Sequence, residues 1–254
     1  MISYIAHIPH SPLLLPQISR NKFRQFKKMN QAVTDIAHDI YARGCETIIL
    51  LSPYASGNSA HLFNISPEFT ASFGQYGEFL TQGKFRGDFE LAYRICHDLG
   101  TEYHIAAITR EHLDGASGAA MLQLGVLQPH YRMLPVYHAE GPTQYLFEFG
   151  KKMRDVLEQA TSKIALISLG DMARTSKRNR EEGRQLDQDI LKNLTEQDTQ
   201  HLLGRRPNEI NKFALACVRP LAVLLGVLEG QSYQSEVLNY EQKYGVGMLA
   251  ARFV

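Results

Sequence analysis

Short apolar runs rich in β-branched residues alternate along this chain with longer stretches whose apolar residues recur at helical spacing. That alternation predicts a sheet covered by helices on both faces. The apolar runs predict strands at 2–8, 47–51, 104–107, 132–137, 163–169 and 246–253. Helical spacing predicts helices at 21–42, 88–99, 116–127, 143–159 and 209–228, with Pro220 kinking or dividing the last. Gly44, Gly100 and Gly230 fall where helix C-caps are expected. Residues 62–85, which include FNISPEFTASFGQYGEF, have no clear period and read as a long loop or a hairpin. With no linker or internal repeat, the expected fold is a single α/β domain over 1–254, with a mostly parallel or mixed central sheet.

Composition narrows the class of function. A hydrophobic share of 44% in 254 residues is enough for a sizeable core. The formal net charge of +1 gives no electrostatic reason to expect nucleic acid or a membrane surface as partner. The densest basic run, Arg174 to Arg184, also holds Glu181 and Glu182, so it reads as a solvated helix start or an anion-binding segment. Cys45, Cys96 and Cys217 are odd in number and lie in apolar settings, as reduced core thiols do. A cytoplasmic location is therefore expected, without secretion or membrane insertion. Zinc-protease, zinc-finger, P-loop and nucleophile-elbow motifs are absent from the sequence.

Ligands of open α/β sheets bind outside the carboxyl ends of the strands. That rule selects His10, Tyr54, His138 and Asp171, each just after a predicted strand, while Glu241 lies just ahead of the last one. His10 is stiffened by Pro9 and Pro12, and with Glu241 it offers two good metal ligands from opposite ends of the chain. If buried, Glu241 needs a cation or donors beside it; otherwise it is an exposed strand-edge residue. Tyr54 stands where a second imidazole would be wanted, and a phenol is a poor ligand for Fe(II) at neutral pH. His138 either supplies the missing nitrogen or is a loop residue over the sheet. Asp171 reads as a helix N-cap, as a carboxylate orienting a ligand, or as both. His112 and Asp114 either face the same cleft or cap the helix that follows.

Several dispersed segments resemble, in order, the class III extradiol ring-cleavage dioxygenase B subunit or LigB-like superfamily, especially its bacterial branch related to Memo proteins. IPHSP is similar to the family's PHxP segment and LSPY to its ISPH. ISPEF and SFGQYG are similar to SPE and DFGQFG, LGDMAR to SGDLSH, and YEQKYGVGM to YEGPFGVGY. The resemblance spans nearly the whole chain and implies a LigB-like fold with a non-haem iron site. His10 and Glu241 match two of its three ligands, and Tyr54 occupies the third position. Where the family has the histidine of LDHG this chain reads LDGAS, placing Gly115, or Asp114 in a shifted alignment, at that point. Arg174 takes the position of the acid/base histidine, and a guanidinium cannot shuttle a proton at neutral pH.

The expected function is that of a LigB-like protein with an incomplete, repurposed iron site. The alternatives are an active Fe(II)-dependent oxidoreductase on a small aromatic substrate and a non-catalytic binding or scaffold protein. Fe(II) is the implied cofactor, with binding of no metal as the alternative. The expected partners are a small anionic or aromatic ligand, a protein partner, and further copies of the chain in a homo-oligomer.

Overall fold

The computed structural model describes residues 1–55, 57, 59–125, 127 and 130–254. The chain opens with β1 (Ile2–Ile8), two short 3-10 turns (Pro12–Leu14 and Arg20–Phe26) around α1 (Pro16–Ser19), and then α2 (Lys27–Ala42) and β2 (Thr47–Ala55). Next come β3 (His61–Asn64), β4 (Glu68–Phe73), a 3-10 turn at Gly74–Tyr76, β5 (Glu78–Gly87), α3 (Phe89–Leu99), β6 (Ile105–Ile108) and α4 (Gly115–Leu124). The rest is β7 (Arg132–His138), α5 (Thr143–Glu158), β8 (Ile164–Leu169), α6 (Arg180–Thr195), α7 (Thr199–Leu203), α8 (Pro207–Lys212), α9 (Val218–Leu228), β9 (Ser235–Lys243) and β10 (Val246–Phe253).

The strands form one mixed sheet in the order β4-β5-β7-β2-β8-β1-β10-β9, with β3 joining β6 and β7. β7, β2, β8 and β1 run parallel at its centre, so the carboxyl ends of β1, β2, β7 and β8 open on one edge. Strands buried on both faces need continuous apolar sequence, as IALISLG and RMLPVY provide. Side chains alternate between two cores. Tyr4, Ala6 and Ile8 pack with α2 and α4, while Ile5, Leu51 and Leu166 pack with α3, α5, α6 and α9.

The ambiguous 62–85 stretch resolves into β3 and the β4–β5 hairpin, whose inward Phe69, Ala71 and Phe73 alternate with Glu68, Thr70 and Ser72. Four differences from the sequence pattern stand out. The helix expected at 21–42 begins as a 3-10 turn, after Arg20 takes a positive φ of 51°. Pro220 kinks nothing, because it lies in the first turn of α9, where its missing N–H has no helical acceptor. The division falls earlier, between α8 and α9. The helix expected at 116–127 ends at Leu124, and its expected tail at Val126 lies outside the described residues. Finally, β9 forms where no strand was expected. Gly100 caps α3, and Gly44 and Gly230 follow helix ends with φ of 66° and 73°. No helix among the described residues is long and apolar enough to cross a membrane.

Candidate functional site at the carboxyl edge of the sheet

His10 and Asp171 leave the neighbouring strands β1 and β8 at the same level and grip each other twice. The Asp171 backbone N–H donates to His10 Nδ1 at 2.9 Å, and the His10 backbone N–H donates to Asp171 Oδ1 at 3.2 Å. Oδ1 also lies 3.3 Å from Nδ1, and both residues are buried. Asp171 is therefore no helix cap: α6 starts only at Arg180, and 171–175 is an extended segment. That segment is laced to the start of β10 by Met172 N–H to Gly247 O at 2.8 Å, Gly247 N–H to Ala173 O at 2.9 Å and Thr175 N–H to Gly245 O at 2.6 Å.

Tyr54 lies at the carboxyl end of β2 and sets its ring edge-on to His10, with centroids 6.0 Å apart. Burial raises its phenol above the ordinary value; Tyr76, Asp114 and Asp171 push the same way, and Arg174 opposes them. The Tyr76 phenol is raised by burial and then by Asp114, with Gln75 and Arg174 opposing. These mutual influences put Tyr54, Tyr76, Asp114, Asp171 and Arg174 within electrostatic reach of one another. Arg174 is 55% exposed, and its Nη2 is 3.8 Å from Asp171 Oδ2. Asp114 caps α4, accepting from Ser117 N–H at 2.8 Å and Ser117 Oγ at 2.7 Å, and also takes the Tyr137 hydroxyl at 3.0 Å. His112 is exposed and meets Thr70 Oγ1 through Nδ1 at 2.9 Å, at the β4 edge.

His138 goes elsewhere. Tyr137 turns to Asp114, so the alternation of β7 sends His138 to the opposite face, where burial first and then Arg219 lower its pKa. Its Nδ1 donates to Ala139 O at 3.0 Å, and its Nε2 is buried with no hydrogen-bond partner among the described residues. Glu241 lies within β9, paired with Met248 of β10. The strand order β1-β10-β9 puts β10 between the strand that leads to His10 and the strand that carries Glu241. Burial raises the Glu241 carboxyl, Lys243 and Lys28 oppose it, and its Oε1 is buried with no hydrogen-bond partner among the described residues.

Three residues that matter here carried no local signal. Tyr76 sits in a turn with no strand or helix period. Asp187, fully buried in α6, accepts from Ala173 N–H and the Tyr240 hydroxyl, both at 2.8 Å, and so holds the 171–175 segment in place. A Cβ on Gly247 would come within 2.2 Å of Asp187 Oδ2, so the close approach there requires glycine. His61 is stacked on Phe149 with centroids 3.6 Å apart, in the core beside His138.

Among the described residues no three His, Cys, Asp or Glu side chains converge as a metal-binding group. The donors therefore do not fit a three-ligand iron site. His10 has its Nδ1 occupied, a phenol stands at the second position, and the Glu241 carboxyl feels Lys243 and Lys28. A groove of about 770 Å³, lined by Ile65, Pro67, Phe89 and Tyr93, lies at the start of α3 and takes in none of these residues.

Residues 4–253 match the family described as the catalytic LigB subunit of aromatic ring-opening dioxygenase. The chain is 23% identical over 260 residues to "Protein CA_C1420" of Clostridium acetobutylicum, which covers 94% of this chain but 55% of that protein. It thus spans about half the length of this curated relative. Its fold is similar to that of the uncharacterized protein JW3007 from Escherichia coli K12, with a TM-score of 0.70, 14% identity and coverage of 98% and 99% of the two chains.

Proposed function

Because the chain belongs to the LigB family, whose description is that of the catalytic subunit of aromatic ring-opening dioxygenases, we propose that it keeps the family's strand-edge cleft but uses it to bind a small anionic ligand. Extradiol cleavage needs a metal that holds catecholate and oxygen together and a group that removes and returns protons. The observation that carries the proposal is at Gly115. A Cβ there would lie 2.5 Å from Tyr76 Oη and 2.9 Å from Gln75 Nε2, so two polar side chains occupy the room an imidazole would need. With Tyr54 and Arg174 at two further histidine positions, the cleft has lost proton shuttles and gained a permanent cation.

The test pairs calorimetry with oxygen uptake. Benzoate is expected to bind, Arg174→Gln to weaken it about tenfold, the loss of one charge-assisted hydrogen bond, with the melting temperature unchanged, and catechol to give no oxygen consumption. Oxygen consumption by iron-loaded protein, abolished by His10→Ala and by Glu241→Ala, would defeat the proposal.

One observation favours a second reading, an Fe(II)-dependent oxidoreductase on a small aromatic substrate with His10 and Glu241 as ligands. A buried carboxylate oxygen without a partner, as at Glu241, is stabilised by a bound cation. Elemental analysis after anaerobic reconstitution with Fe(II) separates the two readings: about one iron per chain, lost in both alanine variants, supports the second.

A further inference from the structure

Charge along the chain is segregated in a way its net value hides. No Asp or Glu precedes Asp35, while Arg20, Lys22, Arg24, Lys27 and Lys28 crowd into 20–28. All five are exposed, and among the described residues none has a carboxylate within ion-pair distance. Elsewhere Arg132, Lys152, Arg154, Lys192 and Arg252 each have one. The expectation that no membrane surface is a partner, drawn from a net charge of +1, therefore describes the average and not this arrangement. We propose that the segment 20–28 and the tip of the β4–β5 hairpin together dock the protein reversibly on an anionic lipid bilayer. The proposal is independent of what the cleft binds.

The hairpin tip supplies the apolar half of the contact. Ser72 pairs with Gln82 but Phe73 pairs with Glu78, so Phe79, Leu80 and Thr81 bulge out of the ladder. Phe79 is 75% and Leu80 93% exposed. The bulge is held in shape, because Glu78 Oε1 accepts from Leu80 N–H at 2.9 Å and from Thr81 N–H at 3.0 Å. The Thr81 and Leu80 N–H groups hold the Glu78 carboxyl below its ordinary value and Arg20 adds to this, which puts Arg20 beside the bulge. Leu80 also shares a groove of about 540 Å³ with Pro16 and Phe23, so the hairpin tip and the basic segment border one surface. Tyr244, 54% exposed, lies under Lys22 at 5.1 Å and donates to Gln25 at 2.9 Å. The nearby acids are few: Glu78 is engaged by the bulge, and Glu241 is half-buried beside Lys28 and Lys243.

Unpaired cations, a tyrosine at their level and two projecting apolar side chains are the groups that suit a bilayer interface, where phosphates meet acyl chains. A nucleic acid would neutralise the cations but give Leu80 nothing apolar to enter. An acidic protein segment seated in the groove would meet neutral groups there, Gln17, Thr34, Gln82 and Gln123, with the five cations outside it. A flat anionic surface meets the cations and the bulge at once.

The test is cosedimentation of the full chain with vesicles of equal parts phosphatidylglycerol and phosphatidylcholine, against vesicles of phosphatidylcholine alone. Binding is expected to the first only, and to be lost at about 0.5 M salt. Lys27→Gln with Lys28→Gln should weaken it about twentyfold, about fivefold per charge, and Leu80→Ser about tenfold or more. Lys192→Gln, on α6, should bind as the parent does. Melting temperatures confirm that each variant is folded, and Phe79→Ser reads the same apolar contribution if Leu80→Ser melts early. No binding to the anionic vesicles, or equal binding to both kinds, overturns the proposal. So does binding that needs the lysines but is indifferent to Leu80 and Phe79, which would mark a site for a polyanion such as a nucleic acid or an acidic protein.

Discussion

Asp187→Asn is expected to change how stability depends on pH, and the size of the change follows from the burial of one carboxyl. Asp187 is fully buried in α6, and burial pushes its pKa from 3.8 up to about 6, against the pull of its bonds from Ala173 and Tyr240. In the unfolded chain the group ionises near its ordinary value, so the folded state holds the proton more tightly. Its contribution to stability is then greatest below pH 3.8 and is lost as pH rises through about 6. A displacement of that size is worth about 3 kcal/mol. Asparagine keeps the shape, accepting from Ala173 through its carbonyl and donating to the Tyr240 oxygen. It does not titrate. Urea unfolding of both proteins at intervals from about pH 4 to about pH 7 should therefore show the variant gaining on the parent by about 3 kcal/mol across that range. A constant difference between the two curves would refute the reasoning, whatever its offset.

Other substitutions test the remaining contacts. Gly115→His should cost roughly 1–3 kcal/mol by driving its Cβ onto Tyr76 Oη, and the double variant with Tyr76→Ala should recover part of that cost in urea unfolding. Burial lowers the His61 pKa to about 3 and the His7 pKa to about 4, from 6.5. Both depressed values give stability that is present above pH 6.5 and lost as pH falls towards 3, so the parent should unfold in acid. His61→Phe removes one of these titrations and should move the acid midpoint, followed by circular dichroism, to lower pH. Leu80 is 93% exposed, and Leu80→Ser should change stability by less than about 0.5 kcal/mol in the same urea assay.

What could be read from the sequence depended on whether the cause was local. β1, β7, β8 and β10 lie near the sheet centre, are packed on both faces, and announce themselves as apolar runs. β9 is an edge strand whose residues are mostly half-buried, and SEVLNYEQK shows neither a continuous run nor alternation. α6 begins in a charged stretch whose few apolar residues, Leu186, Ile190 and Leu194, are spaced by four but diluted by REEGRQ. His10, Tyr54 and Asp171 were found because strand ends are visible in the pattern. Tyr76 and Asp187 were not, because a turn and a helix from other parts of the chain bring them to the site. Position alone also placed His138 correctly at a strand end but could not tell which face it takes; that depends on the register of β7, seen in the Tyr137–Asp114 bond.

The segment from Asp171 to Thr175 shows how the fold and the site depend on each other. Its backbone is bonded in turn to His10 just after β1, to β10, to the N-terminus of α9 and, through Asp187, to α6 and β9. Each of those bonds fixes a peptide plane, and the sum of them aims one N–H at His10. The segment thus holds His10 through its own backbone, with the Asp171 N–H directed at His10 Nδ1. Restoring a histidine at position 54 alone should then fail to create a metal site, because the His10 lone pair would still be directed at Asp171. Zn(II) titration of Tyr54→His, followed by calorimetry, should give no more heat than the parent. Tight binding of one zinc per chain would show instead that His10 is free to turn, and that the missing second imidazole was the whole of the difference.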